Sequence, residues 1–85
     1  MEVLNKIRDI INNMLSEKYS TKEINGQTFF ISNKEIPFHI VNLSPFREAL
    51  VIEYADTWED GDLYYPADYP DAESMFTAMV SEIEQ

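Results

Sequence analysis

Carboxylates interleaved with aromatic rings fill one stretch of this chain, from Glu53 to Glu73 (EYADTWEDGDLYYPADYPDAE). The stretch holds eight acidic residues and no lysine, arginine or histidine, and Trp58 and four tyrosines lie among the acids. Residues of these types can support three kinds of chemistry. Paired carboxylates can act as acid and base, a cluster of carboxylates can hold a cation, and an acidic surface can bind a basic partner.

Acid–base catalysis needs a cleft and a carboxyl group whose pKa is raised by burial, and acids clustered in one stretch of an 85-residue chain indicate neither. His39 is the only histidine, and no nucleophile stands at a spacing that predicts a catalytic triad. The absence of cysteine excludes thiolate catalysis, disulfide bonds and cysteine-based zinc sites. We therefore predict that the chain is not an enzyme, has no catalytic residue and takes no cofactor.

A calcium loop is the next possibility, because Asp56, Asp60 and Asp62 stand at loop positions one, five and seven, with glycine at six. An EF-hand also requires an oxygen ligand at position three and a glutamate at position twelve. Here those positions hold Trp58 and Ala67. We predict no metal site, and a cation-binding module that uses the three aspartates loosely is a rival interpretation.

The charge of the chain is unevenly distributed. Residues 1–47 contain five acids and six bases, whereas residues 48–85 contain eleven acids and no base. Such a surface repels nucleic acid and anionic lipid and attracts basic partners. No apolar run is long enough to span a membrane, the first residues do not resemble a signal peptide, and a cytoplasmic protein is expected.

Hydrophobic periodicity predicts one α+β domain over residues 1–85. The expected elements are a helix over 2–18, strands over 19–24, 27–32, 38–43 and 48–55, and a helix from an N-cap at Asp71 to Ile83. Asn25-Gly26 is typical of a type I′ hairpin turn. Residues 33–35 predict a further turn, and Ser44-Pro45 predicts the end of the third strand. Residues 56–70 are expected to form a long loop, with a turn at Asp60-Gly61.

The order α-β-β-β-β-α with short links favours an antiparallel meander, with both helices packed on one face of the sheet in a two-layer domain. Leu50, Ile52 and Tyr54 are predicted to face the core. The opposite face of the sheet is then solvated or binds a partner. We expect that face to carry Val51 together with His39, Val41 and Leu43, which form the outward side of the third strand.

The acidic stretch is the predicted partner-binding surface. The residues expected to contact a partner are Glu53, Asp56, Trp58, Glu59, Asp60, Asp62, Tyr64, Tyr65 and Asp68. Trp58, Tyr64 and Tyr65 are the expected anchor points, because aromatic residues are enriched at the centres of interfaces. Two alternatives remain open: an immunity, adaptor or homodimeric protein that uses the open sheet face, and an acidic stretch that only keeps the chain soluble.

The combination of a leading amphipathic helix, a short meander and an acidic stretch before a terminal helix resembles small acidic phage-encoded inhibitors of the anti-CRISPR, DNA-mimic type. The resemblance implies that carboxylates at Glu53, Asp56, Glu59, Asp60, Asp62 and Asp68 take the place of DNA phosphates. The expected partner is then a basic protein surface, such as that of a nucleic-acid-binding protein or nuclease. Direct binding of nucleic acid or membrane is not expected.

Overall fold

The computed structural model describes residues 2–32 and 39–85, and within them one antiparallel sheet is flanked by two helices. The sheet order follows the chain, β1-β2-β3-β4-β5. The elements are α1 (Glu2–Lys18), β1 (Ser20–Ile24), β2 (Gln27–Ile31), β3 (Ile40–Phe46), β4 (Ala49–Tyr54), β5 (Glu59–Tyr64), a 3₁₀ turn (Pro66–Asp68) and α2 (Ala72–Ile83). The fold class is α+β, as predicted. The turn predicted at 33–35 lies outside the described residues.

The two helices pack on the same face of the sheet, because a single core contains residues of both. Leu4, Ile11 and Leu15 of α1 are buried with Met79 and Ile83 of α2. Val3 and Ile10 of the same helix are apolar in sequence but exposed. An apolar stripe of about 100° is enough to cover one side of a helix.

Strand β3 presents the face opposite to the one we predicted. Val41 pairs with Tyr54 and Leu43 pairs with Ile52, and directly paired residues share a face. Val41 and Leu43 are therefore core residues, and their assignment to the outward face was wrong. Both sides of this strand are apolar in sequence, so alternation could not decide between them.

The prediction that Ser44-Pro45 ends the third strand was also wrong. β3 continues to Phe46, and Pro45 pairs with Leu50 of β4. Within the described residues, β2 pairs with β3 at two positions, Phe30 with Val41 and Ile31 with Ile40. The part of β3 that contains Pro45 is therefore paired on one side only, and proline is tolerated there because a missing N–H interrupts no ladder on the open side.

The largest correction concerns residues 56–70, which do not form a long loop. Residues 55–58 form a short turn closed by a 2.8 Å hydrogen bond from the Trp58 amide to the Tyr54 carbonyl. β5 follows and pairs with β4, which makes five strands instead of four. The sequence of β5, EDGDLY, is poor in the residues that strands favour, and tertiary contacts outweigh that preference.

Three hydrogen bonds to Glu82 on α2 hold β5 in place. Its carboxylate accepts from the Tyr54 hydroxyl at 2.5 Å, the Tyr64 hydroxyl at 2.7 Å and the Asp62 backbone amide at 3.0 Å. Burial raises the pKa of both tyrosine hydroxyls, and the bonds to Glu82 raise it further, so both remain donors. Gly61 lies in a β-bulge of β5 rather than in a turn, and a Cβ there would collide with Glu82.

Two local predictions are confirmed. Asn25 and Gly26 both have positive φ, as a type I′ turn requires. The Asp71 side chain caps α2 by accepting from the Ser74 amide at 2.8 Å. Among the described residues, neither helix has the length and apolar character needed to cross a bilayer.

Replacing Glu82 tests its role in holding β5. Glu82→Gln puts an amide group where one carboxylate oxygen accepts a bond, and we expect the free energy of unfolding to fall by about 2 kcal/mol. Urea denaturation measures the change. The matched control is Glu59→Gln, an exposed residue, for which a change within about 0.5 kcal/mol is expected. Equal effects of the two substitutions would contradict this role.

Candidate partner-binding groove

A groove of about 480 Å³ lies on the face of the sheet that carries no helix. One wall belongs to the β1–β2 hairpin, the other to the β4–β5 turn, and β3 and β4 form the floor. The open-face groove is lined by Ile24, Asn25, Gln27, Phe29, Asn42, Glu53, Tyr54, Ala55, Trp58, Glu59 and Asp60. Its walls come from the two ends of the strand order, so the sheet must curve to bring them together.

Trp58 stands at the rim of the open-face groove, at the end of the β4–β5 turn. Its side chain is 90% exposed, so the ring adds little to the core. Its φ is +59°, in the left-handed region that costs about 1 kcal/mol or more for a residue with a Cβ. A positive φ also occurs in two other hairpin turns, at Asn25 and Arg47, so it is the exposure of the indole that makes Trp58 a candidate contact residue.

Three carboxylates share the open-face groove with Trp58. Glu53 pairs with Asp60 across β4 and β5, which places both side chains on the open face. Glu59 also lines the groove, although it pairs with Tyr54, whose hydroxyl binds Glu82 on the helix side. None of the three side chains forms a hydrogen bond or ion pair with a residue in 2–32 or 39–85. Their charge therefore has no counter-charge in direct contact within the described chain.

Asn42 lies at the floor of the groove and was not singled out by sequence reasoning. The residue is only 8% exposed, and it pairs with Glu53, so it faces the open side. Its side-chain amide forms no hydrogen bond within the described residues. The polar atoms of this amide are not fully buried, so a water or a ligand group in the groove can supply the missing hydrogen bond. No signal in the sequence could have found it, because its burial depends on how the sheet curves.

Asp56 does not belong to the same surface. One carboxylate oxygen lies 3.1 Å from Nδ1 of His39, and the other accepts from the Ile40 amide at 3.0 Å. Partial burial alone would raise the pKa of Asp56, but the bonds from Ile40 and His39 outweigh it and lower the pKa. Asp56 therefore ties the β4–β5 turn to the start of β3.

The remaining predicted contact residues do not line the groove either. Tyr64 is 7% exposed and lies in the core, so its assignment as a partner anchor was wrong. Tyr65 and Asp68 follow the other end of β5, roughly 20 Å from Trp58 by strand length. Asp62 lies in the bulge near Glu82. The structure therefore brings together Glu53, Trp58, Glu59 and Asp60 from the predicted set.

No cluster of histidine, aspartate and glutamate in the described part of the chain has the geometry of a metal site. In comparisons with known proteins, the chain matched no protein-family model, no curated protein and no solved structure. The functional argument therefore depends on the geometry of the groove.

If Trp58 is kept for binding rather than for folding, its removal should not destabilise the chain. We expect Trp58→Gly to be more stable than Trp58→Ala by about 1 kcal/mol, because glycine tolerates the positive φ and alanine does not. Thermal and urea denaturation of both variants measure the difference. A loss of several kcal/mol in either variant would show that the ring supports the fold.

Asp56 should make part of the stability depend on pH. Because its folded-state pKa lies below the ordinary value of 3.8, its contribution is complete above that pH and is lost as the pH falls through the lower pKa. We expect the stability difference between the wild type and Asp56→Asn to shrink as the pH falls below 3.8. Urea denaturation over a pH series measures it, and a constant difference would contradict the role of Asp56.

Proposed function

We propose that this chain is an interaction module that binds a basic protein surface through the open-face groove. The observation that carries the proposal is the exposed, strained Trp58 beside carboxylates that no described base neutralises. Aromatic rings with two rotatable bonds supply contact area at low entropic cost, and fixed carboxylates attract lysine and arginine.

The sharpest form of the proposal is a DNA-mimic inhibitor, in which the groove carboxylates occupy the place of phosphates in a nucleic-acid-binding protein or nuclease. Phosphate contacts supply much of the affinity of such basic clefts, so carboxylates held at fixed positions can compete for the same side chains. The contacts are assigned to Glu53, Glu59, Asp60 and Trp58. The absence of cysteine supports placing this module in the cytoplasm.

Homodimerisation through the other end of the open face is the second candidate. By register, Phe46 and Leu63 lie on that face, and they are 51% and 41% exposed. An exposed apolar pair can form the centre of a small interface. Sedimentation measures the mass of the protein in solution. A mass that rises with concentration in the wild type but not in Phe46→Ser would favour this candidate over the binding of a basic partner.

A pull-down from bacterial lysate tests the binding of a basic partner. The variant replaces the three groove carboxylates (Glu53→Gln, Glu59→Gln and Asp60→Asn). The control removes the same charge elsewhere on the exposed surface (Asp9→Asn, Glu17→Gln and Asp68→Asn). We expect the wild type and the control to retain a nucleic-acid-binding protein at low salt and release it at high salt, because salt screens such contacts.

The groove variant should retain at least about tenfold less of that protein, since each close charge pair at an interface contributes on the order of 1 kcal/mol or more. Equal retention by the groove variant and the control would exclude the groove as the binding site. Retention that does not change with salt would exclude DNA mimicry.

A further inference from the structure

We infer that the open-face groove holds one arginine side chain of the basic partner. Its guanidinium would lie between Trp58 and the carboxylates of Glu53 and Asp60, and its inner edge would donate to the Asn42 amide oxygen. This inference rests on the proposed function and deepens it, because it names the chemical group that the groove recognises.

Charge is the first argument. Glu53 and Asp60 face each other across β4 and β5, and their side chains form no hydrogen bond or ion pair with a described residue. Lys22 of β1 lies on the same face by its register with Phe29, yet it forms no ion pair within residues 2–32 and 39–85. Like charges on directly opposed strand residues are unfavourable, and a bound cation removes that repulsion.

The second argument is the unpartnered amide of Asn42. It is 8% exposed at the floor of the groove, directly opposite Glu53. A carboxylate cluster alone needs only a positive charge, whereas a carboxylate beside an unpartnered amide oxygen at the groove floor suits a ligand with several donors. Guanidinium has five N–H donors in one plane and no acceptor, so it can reach both groups together.

The walls of the groove suit the remainder of an arginine side chain. Ile24 and Phe29 line the wall opposite Trp58 and are partly exposed, so they can pack against the methylene groups. The indole of Trp58 can stack on the guanidinium plane, because tryptophan is the most favourable aromatic partner for a cation. A volume of about 480 Å³ also leaves room for the backbone on either side of the arginine.

Lysine fits these groups less well. Its ammonium is a compact, strongly hydrated charge that does not present a planar fork to a carboxylate. It cannot bond to the Glu53 carboxylate in a bidentate manner and stack on Trp58 at the same time. The groove should therefore discriminate between two residues of equal charge.

Three short peptides test the inference, each titrated into the 15N-labelled protein at low salt. The peptides are acetyl-Gly-Arg-Gly-amide, its lysine analogue and its citrulline analogue, which has the shape of arginine without the charge. Backbone amides, the Asn42 side-chain amide and the Trp58 indole are followed. We expect saturable shifts confined to the groove, with lysine binding about fivefold and citrulline more than about tenfold more weakly than arginine.

Two substitutions locate the contacts. Asn42→Ala removes the amide acceptor at the groove floor and should weaken arginine binding about tenfold, with a smaller effect on lysine. Trp58→Ala alters an exposed side chain, so the fold is retained, and it should weaken arginine binding about threefold. Asp68→Asn, which lies outside the groove, is the control and should change neither affinity.

Equal affinities for the arginine and lysine peptides, or an unchanged affinity in both Asn42→Ala and Trp58→Ala, would overturn the arginine site. The proposed function would survive that result if the pull-down still distinguished the groove variant from its charge-matched control. If the pull-down shows no such difference, the proposed function fails as well. Shifts spread over the whole acidic surface would also overturn the inference, because they indicate diffuse charge attraction rather than one site.

Discussion

The hydrogen bonds to Glu82 are the interaction on which the rest of this structure depends. One carboxylate on the last helix binds two tyrosine hydroxyls and a backbone amide, and it thereby joins α2 to β4 and β5. Hydrogen bonds to a charged acceptor are stronger than those between neutral groups. They compensate for the poor strand preference of Glu59–Tyr64, which contains three acids and a glycine. Gly61 is required in this strand because the Glu82 carboxylate occupies the space where a Cβ would lie.

The open-face groove is a consequence of that junction. With β5 paired to β4, the β4–β5 turn carries Trp58 above the sheet, and Asp60 comes to lie opposite Glu53. The repulsion between these acids and the positive φ of Trp58 are both unfavourable for folding. A chain of this size has a small core and little stability to spare. A positive φ also occurs in the β1–β2 and β3–β4 turns, at Asn25 and Arg47, so the cost particular to this site is the repulsion between Glu53 and Asp60.

The acids of β5 have a second physical role, because β5 is an edge strand. Charged residues on an edge discourage pairing with another sheet, and this role alone could account for acids placed anywhere along the strand. It does not account for Trp58, which is exposed next to the same edge. Nor does it account for Asn42, which lies two strands inward, is 8% exposed and has a side-chain amide without a partner in the described chain. The groove thus combines edge acids with features that an edge does not need.

The sequence by itself determined the α+β class, both helices, the Asn25-Gly26 hairpin and the core face of β4, because periodicity, capping and turn chemistry are local. It also located the acids and the tryptophan of the groove. Only the tertiary structure decided that residues 59–64 form a strand, since the Glu82 bonds that hold them come from about twenty residues away. It also placed Tyr64 in the core and Asn42 beneath the acids, because burial depends on sheet curvature and on pairing between distant strands. Of the eight carboxylates in the stretch, one caps a helix, one joins the β4–β5 turn to β3 and three line the groove.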